Sequence, residues 1–286
     1  MNKSKIIKIT DKKYPKKLLE IKNPPKQIYI LGDEKLLYKD SIAIVGSREC
    51  TPYGVKYAKE FAKKISQKEI CIVSGMALGI DSAAHRGALK EKGHTIAVLG
   101  AGFNNIYPEE NVELFNQILE NEGLIISEYP PSTKVNLSKF PYRNRIISAL
   151  SMGVLVVEAK HRSGSTVTAR YAKEQNKKLF SIPSNIDLKT GVGTNRLIQE
   201  GAKLVTCAED ILLEFNILSE VIEEQKEREV EEEFEKIYNA ILYMPININL
   251  IAKKCNLSIS EVSQKLLIME IKGHVKSLPG NEYVRV

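Results

Sequence analysis

Glycine, hydroxyl and basic residues follow several short apolar runs of this sequence, and residues of these types are suited to binding phosphate. The stretches concerned are Gly46-Ser47-Arg48, Ser74-Gly75-Met76-Ala77, Gly100-Ala101-Gly102 and His161-Arg162-Ser163-Gly164-Ser165. Glycine allows a tight turn, and backbone N–H groups at the start of a helix attract anions. We expect the hydroxyl and N–H groups of Ser47 to face a phosphate, with Arg48 forking onto it or stacking on a base. The alternative is a surface turn that contains an arginine.

A second basic feature is the stretch 140–151, FPYRNRIISALS, where two arginines precede an apolar run. Pro141 is well tolerated in the first turn of a helix. The pattern therefore predicts that Arg143, Asn144 and Arg145 lie in that first turn. Cations at this position oppose the helix dipole, at a cost of up to ~1 kcal/mol each.

Two explanations of this placement stay open. An anionic ligand that arrives at the helix start would explain both cations. Alternatively, one arginine pairs with a carboxylate at a neighbouring strand end, such as Glu128 or Glu158. We expect a mixture, in which one of Arg143 and Arg145 is structural and the other faces a ligand.

Two more stretches have both a binding and a packing interpretation. Residues 74–85 read SGMALGIDSAAH, which suits either a phosphate or sugar contact or a close strand–helix packing in which Asp81 caps the helix. We expect His85 to be a satisfied, partly buried residue rather than a catalytic one. Four hydroxyl groups lie at the start of another predicted helix. Capping of that helix explains one of these hydroxyls but not all four. They belong to Ser163, Ser165, Thr166 and Thr168.

The elements that must position these residues alternate between strands and helices. Seven runs are continuously apolar, which is typical of strands buried on both faces of a parallel sheet. They are 41–46, 69–75, 94–100, 123–128, 153–159, 177–183 and 202–205. Helical periodicity between them, as in 54–66 and 109–120, indicates a doubly wound, Rossmann-like α/β domain over 41–215. Ligands of such sheets bind at the carboxyl ends of the strands.

Three segments lie outside this domain. Residues 1–40 form a basic leader that we expect to lie across the sheet domain. Residues 216–233 predict an acidic helix or linker. Over 234–286, three short helices followed by a hairpin predict a winged helix, with a capping box from Ser258 to Glu261. Lys265 is the only basic residue in the centre of its third helix. We therefore expect this helix to contact a partner or to bind DNA weakly, rather than to recognise duplex DNA strongly.

Composition and charge restrict the class of protein. The formal net charge is +7, yet residues 220–236 carry nine glutamates against three basic residues, a net of −6, so the remainder carries +13. A basic body favours a polyanionic partner. The four cysteines form no CxxC pair, which indicates neither metal nor disulfide and a reduced, cytoplasmic compartment. No apolar run approaches the ~20 residues that cross a bilayer, and the N-terminus is not a signal peptide.

The common catalytic motifs are missing. The sequence has no complete GxGxxG, no GxxxxGK[ST] and no GxSxG, and no His/Asp/Glu cluster with metal spacing. We therefore expect a protein that binds phosphates without attacking them, with no catalytic residue, no cofactor and no metal.

Five motifs in order resemble the DprA/Smf family of DNA-processing proteins. They are AIVGSR (43–48), SGMALGIDSAAHRGAL (74–89), FPYRNRIISALS (140–151), VVEA (156–159) and SGSTVTARYA (163–172). The leader 14–33 fits as well. The chain departs from the family in two places. About 40 residues precede the first predicted strand, so we expect the helical domain that many members carry before the leader to be absent, and Pro183-Ser184 stands where Pro-Gly is usual.

The resemblance implies a homodimeric, non-catalytic protein that binds single-stranded DNA, protects incoming strands in natural transformation and loads the RecA recombinase. Its implied DNA-binding residues include Phe140, which is expected to offer a stacking surface beside the arginines. The full set is Gly46, Ser47, Arg48, Gly75, Lys139, Phe140, Arg143, Asn144, Arg145, Ser163, Gly164 and Thr168.

Two other functions stay open at this point. One is a nucleotide phosphoribohydrolase of the lysine-decarboxylase-like Rossmann group, although its PGGxGT-type loop has no counterpart because the chain contains no PGG. The other is a regulatory winged-helix protein whose sheet domain binds a small nucleotide. That function predicts duplex binding through residues 235–286.

Overall fold

The structure is a computed structural model that describes residues 4–90, 94–161, 163–217, 231–241 and 245–285. These residues fall into two compact units, one within 4–217 and the other within 231–285. Of the acidic linker predicted for 216–233, residues 218–230 lie outside the described residues. Over the same described ranges, no helix is long and apolar enough to cross a membrane.

The first unit is built on a nine-stranded sheet. Its strands are β1 (Lys5–Lys8), β2 (Gln27–Gly32), β3 (Ser41–Val45), β4 (Cys71–Ser74), β5 (Thr95–Leu99), β6 (Leu124–Ser127), β7 (Gly153–Val156), β8 (Lys178–Ser181) and β9 (Lys203–Leu204). Their order is β1-β2-β6-β5-β4-β3-β7-β8-β9. β3 to β9 pair in parallel, whereas β1 and β2 pair antiparallel at one edge. The seven apolar runs are thus the seven parallel strands, and the predicted fold class is confirmed.

The leader extends this sheet instead of only covering it. Tyr29 and Ile30 pair with Ser127 and Ile126 of β6, so the leader supplies two neighbouring strands at one edge of the sheet. Between them, Leu18 of a short helix is fully buried in the core. The leader is therefore an integral part of the first unit.

Helices cover both faces of the sheet. They are α1 (Lys16–Leu19), α2 (Pro52–Ser66), α3 (Ile80–Leu89), α4 (Val112–Glu120), α5 (Lys139–Leu150), α6 (Gly164–Glu174), α7 (Val192–Gln199) and α8 (Glu209–Glu214). Alternate side chains of a strand point to opposite faces. Ile42 and Ile44 accordingly pack with α2, α3 and α8, whereas Ala43 and Val45 pack with α1, α5, α6 and α7. α4 covers the same face as α3, over β5 and β6.

Helix α5 begins earlier than predicted. Its first residue is Lys139, which places Pro141 third in the helix and Arg143 to Arg145 in the second turn. The expectation that these arginines occupy the first turn is wrong. Proline is compatible with any of the first helical positions, because those N–H groups have no intrahelical acceptor in any case.

The second unit is a winged helix, as predicted. Its elements are α9 (Glu232–Ala240), β10 (Ile246–Asn247), α10 (Ile248–Cys255), α11 (Ile259–Ile271), β11 (Val275–Leu278) and β12 (Glu282–Arg285). The capping box is present, since Ser258 and Glu261 satisfy each other's backbone N–H groups at the start of α11. The short strand β10, whose two residues pair with β12, was not predicted.

Candidate nucleic-acid site

A cavity of about 370 Å³ lies at the carboxyl ends of β3 and β7. The chain proceeds from β3 through β4, β5 and β6 on one side, and β7 returns to the other side of β3. The cavity therefore occupies the switch point in strand order, where ligands of doubly wound sheets bind. Its walls include nine of the twelve predicted residues, namely Gly46, Ser47, Arg48, Phe140, Arg143, Asn144, Ser163, Gly164 and Thr168.

The loop after β3 forms one wall. A Cβ at Gly46 would lie 2.5 Å from Cγ1 of Ile80 and 2.9 Å from the carbonyl oxygen of Glu158, so only glycine fits there. The Ser47 N–H donates to that carbonyl at 2.7 Å, and its hydroxyl donates to the carbonyl of Glu49. The donors of Ser47 that we expected to face phosphate are thus bound internally, which leaves its hydroxyl oxygen as an acceptor only.

Two exposed cations stand at the cavity wall. Arg48 is exposed, and its guanidinium carbon lies 5.9 Å from the centre of the Phe140 ring. Among the described residues no carboxylate pairs with Arg48. Lys160 is also exposed and lines the cavity, with its Nζ 2.5 Å from Oε2 of Glu49. Lys160 was not among the predicted residues, although its position directly after the VVEA strand motif would have indicated it.

Arg143 is built into the floor of the cavity. It is only 3% exposed, and its Nη1 donates to the carbonyl oxygens of Gly75 and Val98, while Nε donates to Asn144. Burial lowers the pKa of Arg143 to about 10, with Asp81 acting in the opposite direction. The guanidinium is therefore charged at neutral pH. It supplies fixed positive charge with few donors left for a ligand.

Gly75 and Asp81 complete this buried charge cluster. A Cβ at Gly75 would lie 2.7 Å from Nη2 of Arg143 and 2.8 Å from Oδ2 of Asp81. Asp81 accepts the N–H groups of Gly75 and Ala77 rather than capping α3, whose N-cap is Gly79. The pKa of the Asp81 carboxyl is raised because the group is buried, and the nearby charge of Arg143 offsets part of this rise. Gly75 thus supports the cavity without belonging to its wall.

The start of α6 forms the opposite wall. Asn144 donates from Nδ2 to the carbonyl of Gly164 at 3.2 Å, which ties α5 to α6. The hydroxyls of Ser163 and Ser165 lie 2.8 Å apart, and Thr166 donates to the carbonyl of Ser163. Most of the predicted hydroxyls are thus engaged locally. Gly164 is exposed, and no atom lies within 4 Å of a Cβ built there, so the first turn of α6 is open to a ligand.

Two predicted residues lie away from the cavity. Arg145 is 2% exposed, and its Nη2 lies 2.6 Å from Oε1 of Glu128 while Nε donates to the carbonyl of Asn23 in the leader. Arg145 is therefore the structural arginine, and its partner is one of the two carboxylates that the sequence had suggested. Lys139 places Nζ 4.2 Å from the centre of the Tyr129 ring and is not part of the cavity wall.

The site offers little for metal or acid–base chemistry. Within the described ranges, no group of three or more His, Cys, Asp or Glu side chains is arranged to hold a metal ion. His85 is completely buried rather than partly buried as expected. Its Nδ1 lies 2.7 Å from Oγ1 of Thr95, but its Nε2 has no hydrogen-bond partner among the described residues. Burial and then Arg143 lower the pKa of His85 to about 3, so it is neutral at physiological pH. Glu158 is held by the N–H and hydroxyl groups of Thr51.

Fold and site together define a two-unit protein, with a Rossmann-like sheet that bears a cationic cavity at its switch point and a separate winged helix. Residues 5–216 match the family model described as DNA recombination-mediator protein A, and residues 222–281 match the DprA winged helix domain. The chain belongs to the DprA/Smf family of DNA processing proteins.

Individual relatives agree with this assignment. The chain is 44% identical over 209 residues to the DNA processing protein DprA of Bacillus subtilis, and this match covers 73% of this chain and 70% of the relative. It is 37% identical over 281 residues to the Escherichia coli protein Smf, and this match covers 96% of this chain and 75% of the relative.

Two solved structures are similar as well. DprA of Streptococcus pneumoniae superposes with a TM-score of 0.70 at 42% identity, covering 74% of each chain. DprA of Helicobacter pylori superposes with a TM-score of 0.67 at 32% identity, covering 75% of this chain and 98% of that one. The Helicobacter pylori structure concerns the single-stranded DNA binding mode of that protein.

Proposed function

We propose that this protein binds single-stranded DNA in the cavity at the switch point and acts as a recombination mediator. The observation that carries the proposal is that Arg48 is exposed at the cavity and pairs with no carboxylate in the described part of the chain. The floor of the same cavity holds a second, buried cation, Arg143. The single-strand binding of the Helicobacter pylori relative supports the choice of ligand.

The geometry suits a single strand better than a duplex. Arg48 and Lys160 present exposed positive charge, and the first turn of α6 at Gly164 adds N–H groups without intrahelical partners. A cavity of about 370 Å³ has room for a phosphate and part of one nucleotide but not for a double helix. A flexible strand can turn an unpaired nucleotide into such a recess, whereas a duplex cannot do so without unpairing.

The proposed role is binding without catalysis. A hydrolase needs a carboxylate or another base that is free to act on its substrate. Asp81 is held by two backbone N–H groups, and Glu49 pairs with Lys160 at the cavity rim. The phosphoribohydrolase alternative therefore gains no support from the site. Incubation with AMP should release no base, and measurable release would revive that alternative.

The wider role follows from family membership and is proposed on that basis. We expect a homodimer that protects single strands and loads the RecA recombinase onto them. Light scattering of the purified chain tests the dimer. Strand exchange by RecA on DNA coated with single-strand-binding protein tests the loading, which should be faster when this protein is added.

The direct test of the proposal is fluorescence anisotropy with a labelled dT oligonucleotide and a duplex of equal length. The wild type should prefer the single strand. Arg48→Ala should weaken binding by about 1–3 kcal/mol, the scale of a hydrogen bond to a charged group. The matched control is Arg86→Ala, because Arg86 lies in the last turn of α3, at the opposite end from the cavity. Equal binding of duplex and single strand, unaffected by Arg48→Ala, would overturn the proposal.

A further inference from the structure

The aromatic ring expected to stack on a base is not accessible for that purpose. Phe140 is only 8% exposed. A Cβ at Gly100 would lie 2.9 Å from Cδ1 of Phe140, so the Gly100 backbone packs against the ring. The guanidinium carbons of Arg48 and Arg143 lie 5.9 and 5.7 Å from the ring centre. Phe140 is therefore a wall of the cavity, and it lacks the free face that a stacked base requires.

A neighbouring aromatic ring, that of Tyr107, is more exposed. Tyr107 is 40% exposed, and its ring centre lies 5.6 Å from that of Phe140 at an interplanar angle of 53°. In the part of the chain that the structure describes, its hydroxyl has no protein hydrogen-bond partner. Leu78, 38% exposed, lines the same small slot as Tyr107, so the exposed surface beside the cavity is apolar as well as aromatic.

Tyr107 also lines two recesses near the cavity. On one side it lines a slot of about 40 Å³ together with Arg48 and Phe140, both of which also line the cavity. On the other side it lines a groove of about 360 Å³. The remaining residues of that groove are Asn104, Asn105, Ile106, Glu109, Val112 and Val135. The slot thus shares Arg48 and Phe140 with the cavity and shares Tyr107 with the groove, so the three recesses are neighbours.

The cavity and the groove differ in chemistry. The cavity is lined by Arg48, Arg143 and Lys160, whereas the groove has apolar groups, amide groups and the carboxylate of Glu109, with no lysine or arginine among its described lining residues. Phosphates are attracted to the first environment. Nucleobases, which are flat, weakly polar and rich in hydrogen-bonding edges, suit the second, where the exposed amide of Asn104 is available.

We propose that Tyr107 is a nucleobase-stacking residue, which takes the base next to the nucleotide held in the cavity and directs the strand into the adjoining groove. This inference rests on the proposed function, because it assumes that the strand is anchored at Arg48. The expected ligand is an unpaired base of the same strand. Base–aromatic stacking tolerates any base, since each has a π-face.

The first test uses the absence of tryptophan from the chain. Tyr107→Trp creates a protein with a single tryptophan, whose fluorescence a stacked base quenches. A dT oligonucleotide should quench it, and an abasic oligonucleotide of equal length should not. The matched control is Tyr38→Trp, because Tyr38 is an exposed tyrosine in the leader outside the cavity, slot and groove. Binding of dT without quenching of Tyr107→Trp would overturn the inference.

The second test measures affinity. Tyr107→Ala should weaken dT binding roughly 5- to 100-fold, the range typical of alanine substitution at stacking residues, and should leave binding of the abasic strand unchanged. Tyr107→Phe should bind as the wild type does, since the ring is retained, and Tyr38→Ala should have no effect. Equal losses for dT and abasic strands, or no loss for either, would contradict a stacking role.

These outcomes separate the inference from the proposed function. If the wild type fails to bind dT at all, the proposed function is wrong. If the wild type and Tyr38→Trp bind dT normally while Tyr107 variants show neither quenching nor loss, only the stacking role is wrong. Circular dichroism of each variant confirms that a lost affinity is not lost folding.

Discussion

The cavity of the sheet unit and helix α11 of the winged helix use their cations differently. Arg48 at the cavity is exposed and pairs with no carboxylate of the described chain. In α11 the sole cation is Lys265, whose Nζ donates to the carbonyl of Glu233 at 2.7 Å. Just beyond the helix, Lys272 lies 2.6 Å from Glu231. Arg48 can therefore bind a ligand without breaking an internal ion pair or hydrogen bond, whereas Lys265 and Lys272 cannot.

The exposed surface of α11 differs from the cavity in polarity as well. Leu267 and Ile271 are 60% and 79% exposed, one helical turn apart. Contacts between basic side chains and phosphates provide the salt-dependent part of DNA affinity, and an apolar face cannot make them. The sheet unit is accordingly the part of the molecule where we expect the dominant DNA contact.

The largest expected effect separates a buried ion pair from an exposed one. Arg145→Ala leaves Glu128 without its partner in a largely buried position, so unfolding in urea should show a loss of about 3–5 kcal/mol. Arg170→Ala is the matched control, because Arg170 is an exposed arginine paired with Glu174 on one helix. It should change stability by no more than about 0.5 kcal/mol. Similar losses for both variants would contradict a structural role specific to Arg145.

The next effect concerns acid stability of the sheet unit. Burial holds the pKa of His85 near 3 in the folded protein, against an ordinary value of 6.5. Below pH 6.5 the unfolded chain therefore binds a proton that the folded chain does not. Stability should fall with decreasing pH, by up to about 1.4 kcal/mol per pH unit between pH 6.5 and 3. Urea midpoints of the wild type and His85→Gln at pH 4 to 7 measure this contribution, and an equal pH slope in both would refute it.

A smaller effect tests whether Arg48 contacts phosphate. The logarithm of single-strand affinity falls linearly with the logarithm of salt concentration, with a slope of about 0.7 per phosphate contacted. Arg48→Ala should reduce that slope by about this amount, and Tyr107→Ala should leave it unchanged. Salt titrations followed by anisotropy measure both slopes. A reduction caused by Tyr107→Ala but not by Arg48→Ala would reverse the assigned roles.

The smallest effect is expected in the winged helix. Lys265→Ala combined with Lys272→Ala removes two cations that are already bound internally. Single-strand affinity should change by less than about 0.5 kcal/mol, as for surface substitutions away from a site. A loss as large as that of Arg48→Ala would show that the two regions contribute equally to DNA binding.

Sequence patterns were sufficient for much of the fold because buried parallel strands are apolar on both faces. Leader strand β1 lacks this signal, since it reads KIIK and exposes three of its four residues, whereas the apolar run of β2, QIYILG, was not interpreted as a strand. The start of α5 was misplaced because proline fits several early helical positions, so Pro141 did not determine which one it occupies.

The candidate site was predictable in its residues but not in its contacts. Gly46, Arg48 and Gly164 have the types and positions that a phosphate site needs, and all three line the cavity. The Ser47 N–H donates to the carbonyl of Glu158, and Arg143 donates to the carbonyls of Gly75 and Val98. These acceptors are distant in sequence, so no local pattern indicates them. Tyr107 was missed for a similar reason, because only the tertiary structure brings it beside Phe140.

The most direct test of DNA binding in the sheet unit is photo-crosslinking of the full chain to an oligo-dT strand that carries 5-iodouracil, with the linked peptides mapped by mass spectrometry. We predict crosslinks at the cavity and its adjoining groove, first of all at Tyr107, and their loss in Arg48→Ala at equal protein concentration. Crosslinks confined to residues 231–285, unchanged by Arg48→Ala, would contradict binding in the sheet unit.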